Sequence, residues 1–317
     1  MRYAFLSDIH GNLHALQAVI DDAKKQSIDH FILLGDYIMD LPWPNEVVET
    51  LRVLDNATVI GGNKESYIRD MANDDKTQWI YEQFSPIYWN INTLKPNNLQ
   101  YLITLPTAHD ILTDSGDTIH LRHSSSIFFR TPRPRIPPFH SLNYLTRMLQ
   151  KPFTHEEYLE FSRKTVLEHE EALSEINQSP KGIYAFGHNH LQWHMEIGGR
   201  VFINPGSCGM PLDFDTRAPY TVLEHTENGW HIEERRVAYD TGAAVSALRA
   251  SDLYAEAEIW SRIMVAQLET GCDYISNFLR HAFETAQGRG EPANPVNNAT
   301  WKEAAATFKL FDLLFKR

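Results

Sequence analysis

The chain has 317 residues, and its 29 basic against 41 acidic side chains give a formal net charge of −12 at pH 7. Its hydrophobic (43%) and aromatic (11%) content is that of an ordinary globular protein and excludes a disordered chain. The negative charge argues against generic nucleic-acid binding, so a phosphate-bearing ligand needs a local attraction such as a metal or an arginine cluster.

The cysteines and the N-terminus indicate the compartment. Only two cysteines occur, Cys208 and Cys272, which excludes a disulfide framework and a cysteine-based zinc site of the usual spacing. The apolar run before Asp8 is too short for a signal peptide, and no run approaches the ~18 apolar residues of a spanning helix. We therefore expect a cytoplasmic protein with no membrane partner.

The first part of the chain alternates predicted strands with predicted helices. Residues 3–6 form an apolar run, and helical apolar spacing follows from Leu13. The same order recurs with a strand at 31–34 before a helix at 46–54, and with a strand at 57–60 before a helix after Asn63. This alternation predicts a parallel α/β layer.

The later segments have a different order of predicted helices, loops and strands. We predict a mostly helical insertion over 64–110, a strand at 118–121, and a proline-rich loop followed by a charged helix over 124–180. Short strands, antiparallel or mixed, follow at 183–186, 193–197, 200–203, 220–224 and 230–237. We predict a catalytic domain over 1–240 and a helical C-terminal extension over 241–317, which packs on the core or on a partner subunit.

Five turns that each follow an apolar strand carry side chains able to bind metals. Singly, each of these side chains could cap a helix or face water. Because ligands of open α/β sheets lie at the carboxyl ends of the strands, we expect the five turns to converge. Their Asp, His and Asn side chains, without thiolates, suit Mn²⁺, Fe or Zn²⁺. The turns are Asp8-Ile9-His10, Gly35-Asp36, Gly62-Asn63-Lys64-Glu65, His123 and Gly187-His188-Asn189-His190.

The order D-x-H, G-D, G-N-x-E, a strand-end His and G-H-x-H resembles the calcineurin-like metallophosphoesterase superfamily. More narrowly, D-I-H-G-N-x-x-A-L from Asp8, P-N-E-V from Pro44 and I-N-P-G-S from Ile203 are similar to the small prokaryotic phosphodiesterase branch. That branch includes bacterial asymmetrical dinucleoside polyphosphate hydrolases. The resemblance implies a four-layer αββα sandwich, an α/β fold that some schemes class as α+β.

The resemblance also implies two divalent metal ions, with Mn²⁺ preferred and Fe, Zn²⁺ or Ni²⁺ as alternatives. A hydroxide bridging the two ions would attack phosphorus in line. We predict Asp36, Asn63 and Lys64 as the catalytic residues. The implied metal ligands are Asp8, His10 and His190 for the first ion, Asn63, His123 and His188 for the second, and Asp36 bridging both.

Lys64 is a difference from the family that the chain resembles. That family commonly has His in this position, where it is thought to protonate the leaving oxygen. An ammonium is a weak proton donor at neutral pH. Lys64 could act as a fixed positive charge, or it could pair with Glu65 or Asp40 and be structural. If leaving-group protonation is weak, good leaving groups are favoured, which points to nucleotide-type substrates.

Other side chains have both a substrate-binding and a structural interpretation. Ser124 stands where relatives commonly have Gly, and its hydroxyl could crowd the site or bind a phosphate oxygen. The arginines of the following loop could reach a distal phosphate or be solvated, and three aromatics of the insertion could stack on a base or pack a small core. These arginines are Arg130, Arg133 and Arg135, and the aromatics are Trp79, Tyr81 and Trp89.

These features predict a phosphodiesterase or nucleotide pyrophosphohydrolase that acts on a small phosphorylated substrate. A phosphomonoesterase, including a protein phosphatase, is the enzymatic alternative because this fold hosts both activities. A non-catalytic scaffold is the alternative of another class, but all the implied ligand positions carry competent side chains. A homodimer through the C-terminal helices is expected if Phe311, Leu314 and Phe315 are exposed.

Overall fold

The computed structural model describes residues 1–125, 127–128 and 154–309. Within these residues the strands form two five-stranded sheets. The strands are Arg2–Leu6 (β1), His30–Leu33 (β2), Ala57–Val59 (β3), Ala108–Leu112 (β4), Thr118–Arg122 (β5), Ile183–Ala185 (β6), Gln192–Ile197 (β7), Arg200–Pro205 (β8), Ala218–Thr226 (β9) and Gly229–Val237 (β10).

Both sheets are mixed. The first sheet has the order β10-β9-β1-β2-β3, in which β1, β2 and β3 are parallel and β9 runs antiparallel to β1. The second has the order β4-β5-β6-β8-β7, with β5, β6 and β8 parallel. The parallel strands of each sheet carry the predicted ligand turns at their carboxyl ends.

The predicted strand–helix alternation of the first part is correct, and of the two alternatives for the later strands the mixed one holds. The sequence did not predict that β9 and β10 join the first sheet beside β1. The end of the predicted helical insertion is wrong, since residues 108–112 form the edge strand β4 paired with β5.

Helices cover the outer faces of both sheets and one end of the molecule. Asn12 caps the first helix by accepting a hydrogen bond from Ala15 N at 3.1 Å. The described helices are Leu13–Lys25 (α1), Pro44–Val53 (α2), Asn63–Met71 (α3), Ser85–Thr93 (α4), Pro96–Ile103 (α5), His155–Glu168 (α6), Glu170–Gln178 (α7), Thr241–Ala250 (α8), Asp252–Glu256 (α9), Glu258–Thr270 (α10), Ile275–Gly288 (α11) and Asn298–Thr307 (α12).

The core follows from the two-residue period of the strands. On β1, Tyr3 and Phe5 face the second sheet, whereas Ala4 and Leu6 pack under the helices of the first sheet. All four are buried, as expected for a strand covered on both faces. The helices outside the second sheet pack on a separate cluster that includes Trp193. The result is the predicted four-layer αββα sandwich.

The C-terminal helices pack at the edge of the sandwich where the ligand turns lie. Their apolar side chains form a cluster with Leu41 and Met210, which follow β2 and β8, and with Trp89 of α4. The described part of the extension therefore packs on the core of its own chain. No helix among the described ranges is long and apolar enough to cross a bilayer.

Candidate metal centre

The ligand turns have an unusual backbone conformation. Five predicted ligands adopt a positive φ: Asp8 (54°), His10 (54°), Asp36 (57°), His188 (76°) and His190 (62°). Such angles are uncommon for residues other than glycine and cost of the order of 1–3 kcal/mol each. Their concentration at one edge of the sandwich indicates that function, rather than stability, selects these conformations.

Two close approaches position these turns. His188 N donates to Asp8 Oδ2 at 2.9 Å, and a Cβ at the preceding Gly187 would lie 2.4 Å from the same oxygen. At Gly62 a Cβ would lie 2.2 Å from Asp36 Oδ1. Glycine is therefore required at both positions because the carboxylates lie directly against the backbone.

The first cluster contains Asp8, His10 and His190. Asp8 Oδ1 lies 3.4 Å from His190 Nε2 and 3.8 Å from His10 Nε2, and the two Nε2 atoms are 3.2 Å apart. These ligand atoms, one from each residue, are close enough to share one ion. The structure therefore brings together the three residues predicted for the first metal.

The second cluster lies beside the first and contains the other predicted ligands. His123 Nε2 lies 3.4 Å from Asp36 Oδ1 and 3.0 Å from Asn63 Oδ1, and His188 Nδ1 lies 3.0 Å from the same Asn63 oxygen. Asp8, Asp36 and His123 also form a group compatible with one ion. The carboxylates of Asp8 and Asp36 therefore lie between the two sets of imidazoles.

Backbone carbonyls fix the tautomers of two imidazoles. His190 Nδ1 lies 2.7 Å from Met210 O, and His123 Nδ1 lies 2.8 Å from Leu34 O. A carbonyl oxygen only accepts hydrogen bonds, so each Nδ1 carries a proton, and each ring in its neutral form presents its Nε2 lone pair to the cluster. This is the arrangement that metal-binding histidines require.

A carboxylate has the same role for His10. Asp40 Oδ2 lies 2.6 Å from His10 Nδ1, and Asp40 Oδ1 accepts a hydrogen bond from Trp260 Nε1 at 2.7 Å. Trp260 belongs to α10, in the extension to which the sequence assigned no chemistry. Sequence reasoning missed this role because no local pattern links positions that are 220 residues apart.

Asp8 Oδ1 is buried without a hydrogen bond from any described residue. When the rings of His10 and His190 are neutral with the proton on Nδ1, their Nε2 lone pairs face each other across 3.2 Å. Buried polar atoms normally have partners, and facing lone pairs repel unless a cation lies between them. The nitrogen and oxygen donors of this set fit a divalent ion such as Mn²⁺, Fe²⁺ or Zn²⁺.

The electrostatics indicate a site built for positive charge. Burial works against the charge on Asp36, but neighbouring His123 holds the pKa of this carboxyl well below its usual range. Burial likewise disfavours the charge on His10 and His123, but Asp40 raises the pKa of His10 to about 9 and Asp36 raises that of His123 to about 10. Without a metal, protons neutralise the carboxylates that a cation would otherwise neutralise.

Glu65 supports the site through the backbone. Its carboxylate accepts hydrogen bonds from Asp36 N, Tyr37 N and Gly62 N at 2.9, 2.9 and 2.7 Å. These bonds hold the second and third ligand turns together. The sequence placed Glu65 in the third ligand turn and as a possible partner of Lys64, but it did not predict this backbone-bridging role.

Lys64 faces the same cavity as the ligands. It forms no direct ion pair with a described residue, so the predicted pairing with Glu65 or Asp40 is not a contact pair. Burial alone would lower the pKa of its ammonium, but the carboxylates of Asp40 and Asp36 raise it. These carboxylates therefore favour the positively charged form of Lys64, and its role as a fixed charge stays a prediction.

The C-terminal helices line the other side of the metal-centre cavity. This cavity has a volume of about 350 Å³. Besides Trp260, the extension contributes the buried polar side chains Gln267, Asp273 and Asn277, and it contributes Arg280, whose guanidinium donates to Asn277 Oδ1 at 2.6 Å.

The remaining predicted substrate-binding residues lie elsewhere. Ser124 is exposed and lines a different cavity beside Arg122. Trp79 stacks on Tyr88 at 4.8 Å between ring centroids and Trp89 is buried, so both pack rather than line the metal centre. Tyr81 lies edge-on to a neighbouring phenylalanine. Outside the described residues lie Arg130, Arg133 and Arg135, and also Phe311, Leu314 and Phe315.

This fold and this constellation define a metallophosphoesterase. The chain belongs to the calcineurin-like phosphoesterase superfamily, whose domain model matches residues 1–228. This finding confirms the resemblance that the sequence motifs indicated. The superfamily implies divalent metal ions, and the clustered Asp and His side chains are their candidate ligands.

Individual proteins are similar to this chain in sequence or in fold. An uncharacterized protein of Methanocaldococcus jannaschii is 25% identical over 247 residues, which cover 75% of this chain and 87% of that protein. A metallophosphoesterase from Sphaerobacter thermophilus has the same fold, with a TM-score of 0.57 and 22% identity over 86% of this chain and 99% of its own. A Pyrococcus horikoshii OT3 structure is similar with a TM-score of 0.58 and 16% identity, covering 82% and 97% of the two chains.

Proposed function

We propose that this protein is a dinuclear-metal-dependent phosphoester hydrolase that acts as a phosphodiesterase or nucleotide pyrophosphohydrolase. The observation that carries the proposal is the convergence of imidazole nitrogens and ionised carboxylates in two adjoining clusters. Such a donor set is suited to two neighbouring divalent cations, with Mn²⁺ preferred.

We assign the ligands as the motifs imply. Asp8, His10 and His190 would hold one ion, and Asn63, His123 and His188 the other, with Asp36 shared between them. When bound, the ions would lower the pKa of a water nucleophile and stabilise charge on the phosphoryl oxygens.

The chain's own residues would orient the substrate around this centre. The Lys64 ammonium lies at the cavity wall, where it can attract an anionic phosphate while remaining a poor proton donor. A substrate whose leaving group needs no proton, such as an anhydride or an aryl ester, suits this arrangement. The C-terminal helices cover one side of the cavity, which favours a small substrate over a phosphoprotein.

Variants of two histidines test the proposal. We expect His190→Ala to lower metal-dependent hydrolysis of a bis-aryl phosphate by at least about 100-fold, because it removes a ligand from one ion. His194→Ala is the matched control, since His194 pairs with Glu234 at 2.7 Å, outside the metal centre. Equal activities of the two variants would contradict the assignment.

A rate profile tests the substrate class. The protein is assayed with dinucleoside polyphosphates, cyclic nucleotides, aryl mono- and diesters and phosphopeptides, in Mn²⁺, Ni²⁺, Zn²⁺ and Mg²⁺. We expect diesters or anhydrides to be hydrolysed fastest, with Mn²⁺ the best activator. Fastest turnover of phosphopeptides would instead favour a protein phosphatase, and no turnover with any metal would favour a scaffold.

A further inference from the structure

A second cavity adjoins the metal-centre cavity. It has a volume of about 480 Å³, and Lys64, Trp260 and Leu279 line both cavities. These three side chains are therefore the partition between the two spaces. We call the second cavity the aromatic chamber.

Three helical segments form most of the walls of the aromatic chamber, and Trp260 of α10 adds to the side shared with the metal centre. Lys64, Tyr67 and Met71 are spaced i, i+3 and i+7, so they share one face of α3. Leu279 and Phe283 are spaced i and i+4 on α11. The third wall comes from the start of α4 and the turn before it. The family domain match ends at residue 228, so the α11 wall comes from the extension beyond it.

The chemistry of the chamber differs from that of the metal centre. Its lining is mainly aromatic and aliphatic, with Lys64 at the side shared with the metal centre. The other polar residues of the lining are Asp70, Gln83 and Asn294. Tyr67 is 44% exposed and Phe283 is partly exposed, so their rings have surface left for a ligand. Small-molecule sites commonly combine about 300–1,000 Å³ of mainly apolar volume with a few polar groups that fix orientation.

The two adjoining cavities therefore indicate a class of substrate. This inference rests on the proposed function, because the reaction itself is the proposed phosphoester hydrolysis. We propose that the aromatic chamber binds a planar aromatic group, a nucleobase or an aryl ring, whose attached phosphate lies at the metal centre. Lys64 and Trp260 stand where the phosphate and the ring would meet. Apolar burial of the ring and ring–ring contact would supply the affinity.

Binding of non-hydrolysable phosphonates tests the inference independently of catalysis. Calorimetry of the full-length Mn²⁺-loaded protein compares methylphosphonate, 1-naphthylmethylphosphonate and the phosphonate analogue of AMP. We expect at least one aromatic probe to bind about tenfold tighter than methylphosphonate, and the tighter of the two identifies the ring type. Equal affinities of all three probes would overturn the inference.

Variants locate the effect. Phe283→Ala and Tyr67→Ala should each reduce the aromatic advantage about threefold or more, whereas Phe214→Ala, a 40% exposed aromatic that lines neither cavity, should preserve it. An equal reduction in all three variants would overturn the inference. Thermal unfolding shows whether each variant is folded. If Phe283→Ala is unstable, Tyr67→Ala still tests the inference, because Tyr67 is exposed and its removal should affect stability little.

Hydrolysis of methyl p-nitrophenyl phosphate, measured on the same preparations, separates the two proposals. No hydrolysis together with a retained aromatic advantage contradicts only the proposed function. Hydrolysis without an aromatic advantage contradicts only the substrate class.

Discussion

Among single residues, Trp260 has the role in the metal centre that the sequence predicted least. Its indole N–H donates to Asp40, which in turn holds the His10 ring. We expect Trp260→Phe to weaken Mn²⁺ binding severalfold, up to about tenfold, because Asp40 loses a partner and His10 is less firmly oriented.

Metal titration calorimetry measures this effect. Trp230→Phe is the matched control, because Trp230 Nε1 donates to Asp117 Oδ2 at 2.9 Å, away from the metal centre. Unchanged Mn²⁺ affinity in Trp260→Phe, or an equal loss in Trp230→Phe, would contradict the positioning role.

Lys64 determines how the rate depends on the leaving group. Because its ammonium stays protonated among carboxylates, we expect wild-type rates for aryl diesters to rise steeply as the leaving group becomes more acidic. Lys64→His should flatten this dependence, since an imidazolium can donate a proton near neutral pH. The measurement is kcat/KM across a series of substituted phenols, and a flat wild-type series would refute the idea.

At the element scale, Asp22 connects α1 to the first sheet. Tyr220 Oη donates to Asp22 Oδ2 at 2.6 Å, and Arg235 Nε donates to the same oxygen at 3.0 Å. We expect Asp22→Asn to lower the free energy of unfolding by about 1–2 kcal/mol at pH 7, whereas Asp21→Asn, at an exposed neighbour, should change it little.

This loss should depend on pH in a defined direction. Burial raises the pKa of Asp22, but the bonds from Tyr220 and Arg235 lower it overall, below its unfolded value. The stabilisation is therefore complete above the unfolded pKa and disappears as the pH falls through the folded pKa. Denaturant unfolding should show a smaller wild-type advantage at pH 3 than at pH 7, and a larger advantage in acid would contradict the assignment.

The sequence predicts an element when the residues of that element carry a pattern of their own, and it misses an element that is defined by pairing with distant residues. β1 and β2 were predictable because strands buried on both faces are continuous apolar runs. The edge strand β4 was missed because its sequence Ala-His-Asp-Ile-Leu has little apolar periodicity, and its pairing with β5 defines it. Likewise, no local pattern reveals that β9 pairs with β1.

The metal centre likewise contains residues that the sequence predicts and partners that it does not predict. Its ligands follow apolar strands in recognisable motifs, so their convergence was predictable from the rule for strand ends. Their supporting partners include the backbone carbonyls of Leu34 and Met210. Every residue has a backbone carbonyl, so the sequence cannot show which ones have this role. Trp260 is a distant partner of the same kind.

At the scale of the whole molecule, the C-terminal extension is integral to the site. Its helices bury Leu41 and Met210 beside the ligand turns and line the cavity. We expect a chain ending at residue 240 to unfold more than about 5 °C lower than the full chain and to bind Mn²⁺ more weakly. Thermal unfolding with and without Mn²⁺ measures both effects, and full retention of both would support an independent domain over 1–240.

We propose that two metal ions bind side by side and share Asp36. Electron paramagnetic resonance of the Mn²⁺-loaded protein tests it most directly, because ions about 3.5–4 Å apart couple magnetically. We predict two Mn²⁺ per chain with a spin-coupled spectrum that Asp36→Asn abolishes. A spectrum of isolated Mn²⁺ at one ion per chain would exclude a metal pair that shares Asp36.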